Sequence, residues 1–365
     1  MQAANSVSRL TDLLNEFYFN VKVQNLTRAT TLYKQLEDSY DEFEANHQLQ
    51  TQFNVVLFGY ALLNVDFEKA QDLLEKIEPV KQLLDDQWCY RFYLFKGLHS
   101  IICNSDFNDA RTSFEVAEQR LGSIDDEIER AEYDYKMAFM YYHLEDTLHS
   151  VQYITKALET FRDKLEYNKK IASCELILGL NSIDMKQYEQ AEEQFYRVLD
   201  YANQIGDNSL KSNALHNLGL LYASQNKASA AVHWLVKSLS ARKEVHYITA
   251  YLLSRENYKL GNKEDASEWL QKGIESCNNY GNNEYLVRFK LLEAYYENYG
   301  TSNFKTVYEE GIAYFHKEKL WRYVDEYSEQ LASYYRQQEL YKEAAEYYAL
   351  ASNARNKICQ SEGLN

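Results

Sequence analysis

An all-α fold is what this sequence predicts, and three observations predict it. A single proline, Pro79, and 12 glycines stand in 365 residues, too few helix breakers and turn formers for a β-rich chain. Apolar residues recur at spacings of three and four along residues 1–70, the period of a helix with one buried face. Beyond them a small-residue beat returns at intervals of about 34 to 40 residues, the mark of stacked helical hairpins.

The elements follow in order. "RLTDLLNEFYFNVKVQN", "LTRATTLYKQLEDSYDEFEA" and "LQTQFNVVLFGYALLNV" are helix-length segments joined by short polar breaks, and they predict a three-helix bundle over residues 1–70. "DFEKAQDLLEKIEPVKQLLDD" predicts a charged connecting helix over 71–88, bent or ended near Pro79. From 89 to 365 the beat takes over. Gly179 is followed by Ala191 and Phe195, Gly219 by Ala231 and Leu235, and Ala332 by Ala344 and Tyr348. Weaker copies stand at Ala110 with Phe114 and Ala117, at Ala138 with Tyr141 and Ala157, and at Ala266 with Leu270.

These are tetratricopeptide small-residue positions. Two antiparallel helices approach closely, so a small residue sits where their backbones cross. The expectation is roughly six or seven helical hairpins stacked into a superhelix.

Charge and composition exclude several functions. A net charge of −16 argues against a nucleic-acid backbone as partner, since that binding rests on clustered Lys and Arg. It favours cationic peptides or basic protein patches instead. No secretory signal is evident in "MQAANSVSRL", and no run reaches the roughly 18 apolar residues of a membrane helix. Five scattered cysteines, Cys89, Cys103, Cys174, Cys277 and Cys359, fit reduced thiols in a cytoplasmic protein. The eight histidines include no HExxH, so no metal site is expected.

In such an array the first helix of each hairpin lines the concave wall. Asn217, two residues before Gly219, predicts an amide that grips a peptide backbone by donating to a carbonyl and accepting from an N–H. Asp184, at the end of the neighbouring hairpin's first helix, is placed to pair with a basic side chain or an N-terminal amine. Tyr141, Asn181, His216 and Tyr251 are further candidates for the wall. Taken singly, each is as well explained by solvation or an interhelical hydrogen bond. The 33 tyrosines and 16 phenylalanines read mainly as core filling.

"LNEFY" at 14–18, "EIERAEYDYKMAFMYYHLEDT" at 127–147, "GLNSIDMKQYEQA" at 179–191 and "LHNLGLLYASQ" at 215–225 resemble the Rap family of Bacillus and its relatives. The resemblance runs over nearly the whole chain in order. It implies a three-helix bundle joined to a tetratricopeptide domain, a response regulator gripped by the bundle and adjoining repeats, and a short secreted Phr peptide bound in the repeat groove. It implies peptide contacts at Asn181, Asp184 and Asn217, and hydrolysis of the regulator's aspartyl phosphate without a cofactor of its own, the regulator supplying Mg²⁺.

Phosphatase members resembling this chain carry an acidic run ending in a glutamine, whose amide holds a water in line with phosphorus. Here the run reads "EANHQ", and an ungapped register puts His47 in the glutamine slot. Gln48 follows, about 100° around a helix. A neutral imidazole has one donor and one acceptor, so His47 is the first catalytic candidate and Gln48 the second. A second departure is Arg288 with Lys290, where relatives often carry acidic residues, and it implies a peptide of different charge pattern.

Three other functions compete with a peptide-inhibited phosphatase. A non-catalytic anti-activator would sequester a response regulator, through its receiver or its DNA-binding domain. A peptide-sensing transcription factor would need a basic helix-turn-helix, but residues 1–70 carry five Lys and Arg against nine Asp and Glu. A generic tetratricopeptide adaptor leaves the N-terminal bundle unexplained.

Overall fold

A computed structural model describes residues 2–39, 43, 46–104, 106–122, 124–241 and 245–361, without the side chains of 2–6 and 359–361. Among the described residues every regular element is a helix. The N-terminal segments form α1 (Gln2–Lys22), α2 (Leu26–Glu37) and α3 (His47–Leu63). α4 (Phe67–Ile77) follows, and a 3₁₀ turn runs from Glu78 to Leu83.

Seven helical hairpins come next. They pair α5 (Asp86–Asn104) with α6 (Phe107–Leu121), α7 (Glu127–His143) with α8 (Thr147–Phe161), and α9 (Asn168–Asp184) with α10 (Tyr188–Ile205). α11 (Asn208–Ser224) pairs with α12 (Ala228–Ser240), and α13 (Tyr247–Leu260) with α14 (Lys263–Tyr280). α15 (Asn283–Glu297) packs on α16 (Ser302–Lys317), and α17 (Trp321–Gln337) on α18 (Tyr341–Ser361). The all-α, hairpin-repeat architecture expected from the sequence is therefore the one observed.

Local chemistry places the boundaries. Asn25, Asn46, Asp66, Asp106, Asp126, Asp146 and Asp207 each cap a helix by accepting from a backbone N–H of its first turn, which satisfies donors the helix leaves orphaned. The stretch 71–88 is not one helix: α4 stops at Ile77, and Pro79 falls in the first turn of the 3₁₀ segment, where its missing N–H costs nothing.

The small-residue beat is a set of close approaches. A Cβ added to Gly179 would collide with the Phe195 ring, and one on Gly219 with Leu235. Gly97 stands in the same relation to Phe114, a copy of the beat that alanine spacing does not reveal.

By compactness the chain divides into Met1–Ile205 and Gly206–Asn365. Inside the first unit the bundle does not close its own core. One apolar cluster runs from Leu10, Leu14 and Phe17 of α1 through Phe53 and Phe58 of α3 to Trp88, Phe92 and Phe95 of α5. At the far end of α1, Val23 packs among Ile154, Phe161 and Ile171 of the repeats. Cys89, Cys103, Cys174 and Cys277 are free thiols, and the side chain of Cys359 lies outside the described residues. No described helix is long and apolar enough to cross a membrane.

Candidate functional site

The register question of "EANHQ" has a structural answer for three of its residues; Glu44 and Ala45 lie outside the described ones. Asn46 adopts an extended conformation and its side chain accepts from the Leu49 N–H at 3.1 Å. α3 therefore begins at His47, and Thr51 Oγ1 donates to the His47 carbonyl at 2.7 Å. His47 and Gln48 are both exposed, one residue apart on the first turn.

They face different surroundings. His47 lines an open groove of about 770 Å³ between α2, α3, α4 and the 3₁₀ turn, and Gln48 does not. Gln50, Thr51 and Asn54 continue the α3 wall, and Lys69 and Lys76 of α4 stand on the other side. Lys69 Nζ donates to the Tyr33 hydroxyl at 3.1 Å and lies 4.5 Å from that ring's centre. A helix N-terminus carries partial positive charge. Asp72 lines the groove beside the two lysines, so with the helix N-terminus the lining keeps a small positive excess for an anionic group. The arrangement can orient a water through the imidazole. Among the described residues no three His, Cys, Asp or Glu side chains converge to hold a metal ion.

The six peptide-contact candidates fall three in each compact unit. In the first, Asn181 is 0 % exposed, and its amide donates to Ser150 Oγ at 2.8 Å and to the Ile177 carbonyl at 2.9 Å. Its Oδ1 is buried and accepts from no described residue. Asp184 is exposed and is the last residue of α9, the end of a helix where a carboxylate gains nothing from the dipole. Tyr141 is half-buried, stacked on His149 at 5.0 Å and on Tyr153 at 5.6 Å.

In the second unit, His216 Nδ1 lies 3.0 Å from Thr249 Oγ1, and Asn217 is half-buried one residue on. Tyr251 is buried against the Phe289 ring, with the Arg288 guanidinium 4.4 Å from its centre. Arg288 is also 4.3 Å from the Tyr285 ring and 4.7 Å from that of Tyr323. Three tyrosine rings thus cage the Arg288 guanidinium.

Sequence reasoning passed over a buried ionic network in the first unit. Glu129 accepts from the Tyr18 hydroxyl at 2.8 Å and from Lys22 Nζ at 3.1 Å, with Arg91 at 4.0 Å. Glu132 accepts from Lys170 Nζ at 2.7 Å. The signal was present: Glu129, Glu132 and Lys136 are spaced three and four apart, on the face of α7 that a helical period assigns to the interior.

Comparison with known proteins agrees with this architecture. Residues 171–244 match the family model described as tetratricopeptide repeat. The chain is 27% identical to the regulatory protein RapG of Bacillus subtilis (strain 168), over 97% of this chain and 98% of that protein. It is 26% identical to response regulator aspartate phosphatase I of the same organism, over 97% and 92%. The fold matches that of a Rap protein solved in complex with competence and sporulation factor, with a TM-score of 0.83, 24% identity, and 97% and 99% coverage. The chain is therefore similar from end to end to Rap proteins, in sequence to the first two and in fold to the third.

Proposed function

We propose that the chain is a quorum-sensing regulator of a bacterial response regulator. In this reading it binds the regulator through residues 1–70 and the adjoining repeats, hydrolyses its aspartyl phosphate, and is inhibited by a short signalling peptide bound within residues 89–365. The observation that carries it is the full-length similarity to a response regulator aspartate phosphatase. His47 on the rim of an anion-favouring groove supports it. The cytoplasm, where a phosphorylated regulator is met, is the proposed place of action.

The chemistry asks little of this chain. The regulator brings the acyl phosphate and its own Mg²⁺. Water attacks phosphorus as the bond to the aspartyl oxygen breaks, leaving carboxylate and inorganic phosphate. His47 accepts a hydrogen bond from that water through one ring nitrogen, and so holds it in line. Gln48, exposed but not among the groove's lining residues, is the weaker candidate. On the peptide side, Asn217 would grip backbone and Asp184 a cationic group, with Tyr141, His216 and Tyr251 as further contacts; Asn181, fully buried with its amide donated to Ser150 and the Ile177 carbonyl, drops out of that set.

A second reading, sequestration without hydrolysis, is favoured by one observation: an imidazole occupies the position given to glutamine in the phosphatases the sequence resembles. Phosphate decay on purified receiver domains separates the two. Under the first reading the chain accelerates decay, and His47→Ala removes about a hundredfold of the effect, the scale of a lost positioning contact, while Gln48→Ala leaves it intact. Tight binding with unchanged decay would establish the second. For the peptide, alanine at both Asp184 and Asn217 should abolish calorimetric binding; unchanged affinity would remove those two residues from the site.

A further inference from the structure

Within the first unit, a cavity of about 220 Å³ lies where α1, α3, α5, α7 and α9 meet. It is separate from the His47 groove and shares no lining residue with it. Most of its wall is apolar, with Leu62, Leu94, Phe95, Leu98 and Ile102 among the lining side chains. One pole is charged: Lys22, Lys136, Lys170 and Glu132 all line it.

The charges do not cancel. Lys22 is paired with Glu129 at 3.1 Å and Lys170 with Glu132 at 2.7 Å. Lys136 is 8 % exposed and has no ion pair or hydrogen bond to any described residue; its ammonium lies 4.9 Å from the Tyr135 ring centre. Glu132 Oε1 is buried without a donor. A lysine without an acceptor and a buried carboxylate oxygen without a donor therefore belong to residues lining one cavity, and a ligand that met both would relieve the cost of leaving them unpaired.

We propose that this cavity binds a small apolar 2-hydroxycarboxylate, its carboxylate on the Lys136 ammonium, its hydroxyl donating to Glu132 Oε1 and its body against Leu94, Leu98 and Ile102. The charge fits a monoanion, since one cation is left over after the two pairs. The volume fits as well: an apolar cavity of about 150 Å³ admits benzene, which leaves room here for a carboxylate beside a ring. Desolvation, reinforced by the Lys170 charge, pushes the Lys136 amine down to about 7, and a bound carboxylate would restore its proton. Such a ligand would touch α1 and α3 together with the repeats, so it would also strengthen the seam between them.

Calorimetric titration of the full chain with mandelate, phenylacetate and neutral mandelamide, at about pH 6.5 so that a large share of the amine is protonated, tests this. Mandelate is expected to bind saturably, phenylacetate more weakly, and mandelamide about tenfold more weakly or worse, the cost of a lost charge-assisted hydrogen bond. Lys136→Met keeps the side chain's length and should lose the mandelate response. Ile102→Trp plugs the cavity from its half-open side while every charge stays in place, and should lose it too. Inorganic phosphate serves as the probe for unspecific anion binding. Mandelate that does not bind, that binds Lys136→Met as well as wild type, or that is matched by phosphate would overturn the proposal. Equal affinity for mandelate and phenylacetate would remove Glu132 from it.

Discussion

The Glu129 network of the first compact unit and the Arg288 site of the second bury positive charge in opposite ways. In the first, Lys22 and Arg91 share Glu129, to which Tyr18 also donates its hydroxyl, and Lys170 takes Glu132, so cations, anions and a phenol are buried together. In the second, Arg288 is sheathed by Tyr251, Tyr285 and Tyr323, and its nearest carboxylate oxygen, on Glu284, is 3.8 Å away. The difference follows from the cations. A planar, weakly hydrated guanidinium stacks on rings and tolerates the loss of water, whereas a compact ammonium needs oxygen acceptors. Arg91 shows both habits, lying 3.8 Å from the Tyr18 ring centre and 4.4 Å from that of Trp88 while it reaches toward Glu129. A network held by carboxylates fails when one carboxylate is removed, and an aromatic cage does not.

The largest expected effect is therefore at Glu129, which is 1 % exposed. Glu129→Gln keeps an acceptor for Tyr18 but leaves Lys22 and Arg91 uncompensated, and should cost about 3–5 kcal/mol in denaturant unfolding. A loss below about 1 kcal/mol, the scale of a surface pair, would dissolve the contrast between the units.

Lys136 gives the next effect, and its sign depends on pH. Its folded pKa, about 7, lies below the ordinary lysine value of about 10.4. Between those values the unfolded chain holds the proton that the folded chain has lost, so stability rises with pH across the window. Wild type should gain about 2 kcal/mol relative to Lys136→Met between about pH 7 and 9, at up to 1.4 kcal/mol per unit. Lys170, Glu132 and Cys174 act on the amine, Tyr135 lies against it and Tyr18 and Lys22 line the same cavity, and the subtraction of the variant removes their common contributions. Parallel pH profiles would mean that Lys136 is not held below its usual range.

The legibility of these features differs for physical reasons. The repeats were readable because close approach of two backbones admits few side chains: Gly179 against Phe195 and Gly219 against Leu235 leave a residue-type signature at fixed spacing. Helix starts were readable in part, since Asn46 and Asp207 cap through side chains that sequence displays. The interior network was harder to read: the spacing of Glu129, Glu132 and Lys136 marks an inward face, but their side-chain types are those of a solvated one and their burial is fixed by α1, α5 and α9, distant in sequence. Asn181 carries the same lesson from the other side. Its position near Gly179 reads as groove wall, but Ser150, 31 residues away, draws its amide inward. His47 and Gln48 are adjacent in sequence, and only the placement of α4 across the groove separates them.

The smallest effects test the cage. Arg288→Lys keeps the charge and gives up the planar stack on three tyrosines, and should cost about 1–2 kcal/mol, a cation–π loss partly recovered by the ammonium. Glu284→Gln should cost less still, below about 1 kcal/mol, because its oxygen is 3.8 Å from Arg288 Nη1 and the Tyr323 hydroxyl already accepts from that nitrogen at 3.1 Å. Unfolding of both variants in low and high salt reads the distinction directly. If Glu284→Gln proved as damaging as Glu129→Gln, the tyrosines would be scenery around an ordinary ion pair, and the two units would bury their cations by the same means. A small, salt-insensitive loss at Glu284 beside a large one at Glu129 is what rings around Arg288 and a carboxylate between Lys22 and Arg91 require.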